Sequence, residues 1–404
     1  MADMNYKQGT GPKILALGLR GIPNVPGGVE VHASELYPRL SAMGAKVTVL
    51  GRAPYRPSDS PASWKGVAVR WMWSPRVQGV EALVHTVLGV LYAAVRRPDV
   101  VHIHAVGPWL AVPLAKFLRL KVVVTHHGQD YMREKWNAPA RAVLRMGERL
   151  GMTFADERIV ISRGILELAR SKYHCEASLI PNGVGALTPP THQDQVNKYG
   201  LTPQRYIIQV SRLVPEKRQL DLIAAFNAAQ LPGWKLLLVG GAQGSQTYAD
   251  QVHRACAGND AIVMTGFLPP PEVHELLASA GVFVLPSSHE GLPISLLEAM
   301  KLGTPALASD IGANLEVGLD QASYFKVGDV QTLATRLREL AAITVEQRAA
   351  MGQRLRNLCD RYDWDAIAEA TFKVLARASG RRGFAAPLLR DRRVAPRLGE
   401  SYRR

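Results

Sequence analysis

The feature that most constrains this chain is an alternation of short, continuously apolar runs with longer segments of helical spacing, repeated in each half. In the first half the runs are Lys13–Leu19, Lys46–Leu50, Val67–Met72, Val100–His104, Lys121–Thr125 and Arg158–Ile161. Between them Val29–Met43 has helical periodicity and ends at Gly44, and Glu81–Arg97 is an apolar helix stopped by Pro98. A strand that is apolar at every position, not at every second one, is covered on both faces, and strands alternating with helices achieve this in a parallel sheet. The stretch 181–203 breaks the rhythm with Asn-Gly, Pro-Pro and polar residues, and reads as a linker. A second series follows, with predicted strands Tyr206–Val210, Trp234–Val239, Ile262–Thr265, Val282–Leu285 and Pro305–Ala308. Its helices are Gln219–Ala229, Gln246–Ala257, Pro271–Ala280 and Ser295–Leu302, and further helices from Val330 to Ser379 close the chain.

The expected fold class is therefore α/β: two doubly wound, Rossmann-like domains facing across a cleft, at residues 1–185 and 186–378, with a basic tail at 379–404. Ligands of such sheets bind beyond the carboxyl ends of the strands, so the expected site is the cleft between the domains.

Charge is unevenly distributed. There are 24 basic and 13 acidic residues in 1–190, 17 and 19 in 191–378, and 8 and 2 in the tail. A basic first half suggests an anionic surface as partner, while a merely solvated basic face has the same composition, and the charge alone leaves both open. Cys175, Cys256 and Cys359 are far apart and form no Cys-x-x-Cys pair, which points to a reducing, cytoplasmic compartment and away from a disulfide framework or a zinc site. Met1–Pro12 has no apolar core, so no signal peptide is expected. The best membrane-span candidate, Val80–Val95, is short of the roughly 20 apolar residues a span needs and carries Glu81 and His85.

Four groups of residues stand where a cleft site would be. The first is Glu290-Gly-Leu-Pro-Ile-Ser-Leu-Leu-Glu298, which follows the predicted strand Val282–Leu285. Gly291 and Pro293 mark a tight loop and a helix starts near Ile294, so the amides of Leu292, Ile294 and Ser295 form a helix end that attracts anions. Two carboxylates beside it, Glu290 and Glu298, accept hydrogen bonds from hydroxyl-rich ligands; taken singly, each also suits a cap or a solvated helix position. The second group is Ser211-Arg212-Leu-Val-Pro-Glu-Lys217, where a guanidinium fork and a point charge fit a diphosphate. The third is Gly27-Gly28-Val29-Glu30 after the first strand, where glycine allows close backbone approach; it lacks the spacing of the dinucleotide fingerprint. The fourth is Thr125-His126-His127-Gly128-Gln129-Asp130 at a strand end, a histidine–carboxylate set able to do proton work. Neighbours on a strand face opposite ways, so one of the two histidines is expected to pack inward.

Together these motifs resemble glycosyltransferase family 4, the retaining family with the GT-B fold. The resemblance runs from Lys13 to Phe372 and rests on Gly-Gly-Val-Glu at 27–30, Thr-His-His-Gly at 125–128, Pro-Asn-Gly-Val at 181–184, Ser-Arg-Leu-Val-Pro-Glu-Lys at 211–217, Val-Gly-Gly at 239–241 and the Glu290/Glu298 pair followed by Ala299-Met300. It implies a hexosyltransferase using a nucleotide-diphosphate sugar, UDP- or GDP-linked, as co-substrate. No Asp-x-Asp metal motif is expected in the chain, which favours chemistry without a metal or other cofactor. Arg212 and Lys217 would hold the diphosphate, Glu298 the ribose and Glu290 the donor sugar. The segment Gly266-Phe267-Leu268 would border the base, Gly28, beside Gly27, would approach the phosphate, and His127 would sit near the reacting centre. The loop Gly291-Leu292-Pro293 replaces the common Gly-Phe-Gly, and Gly312-Ala313 the usual Gly-Gly. His126 and Asp130 are weaker acceptor candidates. The basic first domain, with Arg133, Lys135, Arg141, Arg145 and Arg149 on or beside a helix bearing Trp136, Val143 and Leu144, would rest on an anionic membrane, and the acceptor would be a lipid-linked sugar in cell-surface polysaccharide or glycolipid synthesis. Two alternatives share the composition or the architecture: a basic nucleic-acid-binding protein without catalysis, disfavoured because no stacking aromatics are interleaved with the basic residues, and a sugar phosphorylase, for which no Schiff-base lysine can be placed.

Overall fold

The computed structural model describes residues 11–25, 27–77, 79–132, 136–188, 190, 192–242 and 246–380. Its first sheet runs β1 (Lys13–Leu17), β2 (Lys46–Arg52), β3 (Ser63–Trp64), β4 (Val67–Met72), β5 (Val100–His104), β6 (Val122–His126), β7 (Glu157–Val160) and β8 (Ser178–Leu179) in the chain. In space the order is β3-β4-β2-β1-β5-β6-β7-β8, parallel throughout except for the β3–β4 pair. The helices of this half are α1 (Gly28–Ala42), α2 (Val80–Arg96), α3 (Val112–Phe117), α4 (Ala138–Phe154) and α5 (Arg163–Tyr173).

The second sheet holds β9 (Tyr206–Val210), β10 (Lys235–Val239), β11 (Ile262–Gly266), β12 (Val282–Leu285), β13 (Ala306–Ser309) and β14 (Tyr324–Phe325), in the spatial order β11-β10-β9-β12-β13-β14. Its helices are α6 (Asp194–Lys198), α7 (Gln219–Ala229), α8 (Gln246–Cys256), α9 (Pro270–Ser279), α10 (Ile294–Leu302), α11 (Gly312–Leu315), α12 (Val330–Ala341), α13 (Val345–Leu358) and α14 (Trp364–Ala378). In each sheet the chain reverses its direction of growth beside the first strand, β1 or β9, and the strand ends there open a crevice.

The strands form where wholly apolar runs can be covered twice: Ile14 and Ala16 face a core shared with α1, while Leu15 and Leu17 face the opposite core. Side-chain caps set several helix starts. Asn137 caps α4, Ser162 caps α5, and Thr344 with Gln347 forms a reciprocal capping box at α13. β3, β8, β14, α3 and α6 escape sequence reading because two to six residues carry too little periodicity to register. α6 falls in the expected linker, where the buried Glu275 carboxylate accepts from the backbone of Gln195 and Val196.

The closing helix departs from the expected domain division. α14 lies in the second half of the chain but buries Ile367, Ala368, Phe372 and Leu375 among Ile14, Ala33, Leu36 and Leu40 of the first half. Arg39 of α1 also pairs with Asp365 at 2.8 Å. The chain therefore crosses back, and residues 364–378 pack with the first lobe, because the apolar face of α1 needs a cover that its own half does not supply.

Candidate active site

The two lobes meet where the strand ends converge. Lys217, on a single 3-10 turn after β9, forms an ion pair with Glu290, on the loop after β12. Both side chains are largely buried, so the pair is shielded from solvent screening. Around it lie Arg212, Glu216, His289 and Gly291 from the second lobe and His127 and Gly128 from the first, lining one small cavity. The cavity is small, about 40 Å³.

Backbone contact brings the lobes this close. A Cβ on Gly291 would lie 2.1 Å from the His127 carbonyl oxygen, and one on Gly128, whose φ is +133°, would lie 3.4 Å from the Gly291 Cα. Glycine at 291 is thus required for the loop to pass under His127. Asn182 ties the same loop to the first lobe: its amide nitrogen donates to the Leu292 carbonyl, and its oxygen faces His32 Nδ1 at 3.0 Å. Nearby, Glu316 accepts from the backbone of Arg163 and Gly164 at the start of α5, a second bond across the lobes.

Downstream of the pair, Leu292 and Pro293 are buried, and α10 begins at Ile294 with no side-chain cap, leaving its first amides to other acceptors. Ser295 lies in that first turn, half-buried. Glu298, one turn further, sits 3.3 Å from His274 of α9 and outside the lining of the small cavity.

The remaining predicted residues are spread more widely. Gly27, at φ +148°, precedes α1, and Gly28 opens α1 with empty space where a Cβ would stand. Gly266 accepts from Gly240 N, Phe267 is exposed, and Leu268 is buried. None of these five lines the small cavity, nor does Asp130, half-buried in the turn Asp130–Met132.

His126 is the histidine that packs inward, against its expectation as an acceptor contact. It is fully buried, its Nε2 lies 2.9 Å from the buried Glu148 carboxylate, and its Nδ1 accepts from Gly128 N. Glu148 also accepts from Tyr131, Lys172 and Tyr173, and this set of partners holds its pKa below the usual carboxylate value despite the opposing effect of burial. Alternation on β6 makes the choice: with Thr125 and His127 turned one way, His126 must turn the other.

Behind His127 lies a group that sequence reading did not assemble. His104 Nδ1 is 2.8 Å from His127 Nε2, Tyr37 Oη is 2.5 Å from His104 Nε2 and 3.0 Å from His102 Nδ1, and His102 Nε2 is 2.7 Å from Thr125 Oγ1. His32, His104 and His127 bring ring nitrogens within 4.8 Å of one another. Burial lowers the pKa of His32 to about 4 and of His102 to about 3, and pushes His104 and His127 well below the ordinary value. All these rings are therefore neutral near pH 7. The signal was present as His102-x-His104 on one face of β5, but an apolar run hides which of its polar residues meet.

The expectation of no Asp-x-Asp is corrected by the sequence at 363–365, where both acids have structural partners: Asp363 caps α14 and Asp365 pairs with Arg39.

Two α/β lobes closed face to face, with their strand ends converging on one junction, have the architecture of the GT-B fold. Family models agree with that architecture. Residues 26–186 match "Glycosyltransferase Family 4" and residues 192–358 match "Glycosyl transferases group 1". The chain belongs to glycosyltransferase family 4. It is 30% identical over 410 residues to a glycogen synthase of Mycobacterium tuberculosis, covering 92% of this chain and 96% of that protein. It is 27% identical to the alpha-maltose-1-phosphate synthase of Mycolicibacterium smegmatis, over 88% and 97% of the two chains. In fold it is similar to Anabaena HepE in complex with UDP-glucose, with a TM-score of 0.74 at 20% identity over 91% of this chain and 100% of that one.

Proposed function

We propose that the chain is a retaining glycosyltransferase that moves a hexosyl unit from a nucleotide-diphosphate sugar to a hydroxyl acceptor. The observation that carries the reading is the convergence of Arg212, Lys217, Glu290 and His127 on one cavity between the lobes. Lys217 and Arg212 hold the diphosphate, with the uncapped start of α10 as a third positive contribution. Glu290, already oriented by Lys217, reads hydroxyls of the donor sugar, and Glu298, oriented by His274, reads the ribose. Gly28 leaves room for the donor on the first lobe, and Gly266, Phe267 and Leu268 border the base.

In the reaction the acceptor oxygen bonds to the anomeric carbon on the face from which the diphosphate departs. The carbon–oxygen bond to the diphosphate breaks, its electron pair stays with the phosphate oxygen, and that oxygen takes the acceptor proton. The chain's contribution is charge stabilisation of the leaving group.

The acceptor we propose is a lipid-linked sugar in cell-surface polysaccharide or glycolipid synthesis, reached from the inner membrane face. No helix among the described residues is long and apolar enough to cross a membrane. α4 instead exposes Val143 and Met146 beside the exposed Arg145 and Arg149, a mixed face suited to anionic headgroups. Arg133 and Lys135 lie outside the described residues, as does the tail beyond residue 380.

The test is Lys217→Ala and Glu290→Ala, assayed for sugar transfer from nucleotide sugars with circular dichroism as the control for folding. Each is expected to lower turnover by about 100-fold or more. Near-normal turnover in a folded variant removes that residue from the mechanism.

A further inference from the structure

The buried groups behind His127 form one continuous hydrogen-bonded line: Thr125, His102, Tyr37, His104, His127. Each imidazole uses both ring nitrogens or, in His127, one. Each neutral ring has one N–H and one lone pair, and each hydroxyl has one hydrogen. The line therefore has two self-consistent arrangements, with every hydrogen pointing toward His127 or every hydrogen pointing away.

The far end decides between them. The Thr125 hydroxyl is fully buried, and among the described residues its one hydrogen-bond partner is His102 Nε2. If that hydroxyl accepted from His102, its own hydrogen would be stranded, at a cost of about 1–3 kcal/mol. It therefore donates. His102 then carries its hydrogen on Nδ1 and donates to the Tyr37 oxygen. Tyr37 donates to His104 Nε2, His104 carries its hydrogen on Nδ1, and that N–H donates to His127 Nε2. His127 is left as a neutral ring with its hydrogen on Nδ1.

We propose that Thr125, His102, Tyr37 and His104 are positioning residues that lock His127 as an Nδ1–H hydrogen-bond donor, so that it donates to an oxygen of the glycosyl donor and is excluded from acting as a base. His127 Nε2 is consumed by His104, so Nδ1 is the nitrogen left for a ligand in the cavity that His127 lines. Burial keeps His102, His104 and His127 neutral, which the arrangement requires. His32 packs edge-on against His127, ring centroids 4.8 Å apart, but its Nδ1 faces the Asn182 oxygen, whose amide nitrogen is already committed to Leu292, so His32 donates there and is not a link of the line.

The catalytic half of the proposal rests on the glycosyltransferase reading, and the structural half does not. Two measurements on the full chain separate them. The first is long-range proton–nitrogen NMR on protein labelled with 15N-histidine, with the His127 signal assigned by its loss in His127→Gln. The expected pattern is the Nδ1–H tautomer, shifting toward the Nε2–H form or a mixture in Thr125→Val. An Nε2–H ring in the unaltered chain overturns the proposal outright.

The second is steady-state transfer. Thr125→Val and Tyr37→Phe are expected to lower kcat about tenfold, the worth of one hydrogen bond, with the donor KM changed less than twofold, and Thr125→Ser is expected to restore it. If Thr125→Val misfolds, Thr125→Ser and Tyr37→Phe still decide, since the first keeps the hydroxyl and the second keeps the ring. The expected tautomer with unchanged kcat in Tyr37→Phe overturns the positioning role. Loss of the glycosyltransferase reading shows separately, as no transfer from UDP- or GDP-sugars by the unaltered chain, and leaves the tautomer measurement standing.

Discussion

His32, His85 and His102 illustrate how a residue's setting reverses what its type suggests. In an unfolded chain each would gain a proton near pH 6.5. Burial lowers His32 and His85 to about 4 and His102 to about 3 in the fold. The unfolded chain thus binds more protons below 6.5, so the stability these rings contribute is complete above that pH and drains away as pH falls toward 4. At pH 5 each ring should cost about 2 kcal/mol relative to pH 8, and thermal melts across that window should fall steeply while pH 7 to 9 changes little. A flat melting profile from pH 7 to 5 would contradict the burial. Gly291 shows the same dependence on setting from the other side: its motif was legible as a tight loop, but the reason for glycine is a carbonyl oxygen of the opposite lobe, 2.1 Å from where a Cβ would stand. Arg212, Lys217 and Glu290 could be named from the sequence because charged residues beside strand ends have few structural uses. His32, His102, His104 and Tyr37 could not, because their hydrogen-bond partners are 23 or more positions away and their strand or helix reads as apolar.

Among the elements, α14 has the most influence beyond its own half. Asp363 caps it with bonds to Asp365 N and Ala366 N, and Trp364, Ile367, Phe372 and Leu375 carry it onto α1 and the first sheet. Phe372 is 3% exposed there, so Phe372→Ala should lower stability by about 3–5 kcal/mol through lost burial and the cavity left behind. Because the helix joins the lobes, urea unfolding should report that loss in probes of the first lobe as well as the second; a change confined to the second lobe would mean α14 docks weakly. The longer elements were readable because strands apolar at each position and helices with Gly or Pro stops leave few alternatives. The shortest strands were not, since two residues hold no period, and each exists only because a neighbouring strand offers its edge.

At the scale of the whole molecule, the lobes differ in electrostatic character. Basic residues exceed acidic ones in 1–190, 24 to 13, while the second half is near balance. The exposed Val143, Met146, Arg145 and Arg149 on α4 place part of that excess beside apolar surface. The chain should therefore sediment with vesicles rich in phosphatidylglycerol and not with neutral ones, and binding should weaken as salt rises and in Arg145→Glu/Arg149→Glu. Equal sedimentation with both lipids would leave the charge as a solvated face.

The order of apolar runs, the positions of glycine and proline, and the cations and acids at strand ends by themselves determined two α/β lobes and most of the groups at their junction, because those properties are local and survive without knowledge of contacts. Which histidine turns inward, which lobe claims the last helix, and how a buried hydroxyl fixes the hydrogen on a ring four links away were decided only in three dimensions. Pairing and burial depend on residues far apart in the chain, and a buried polar group takes its protonation from whichever partner the fold supplies.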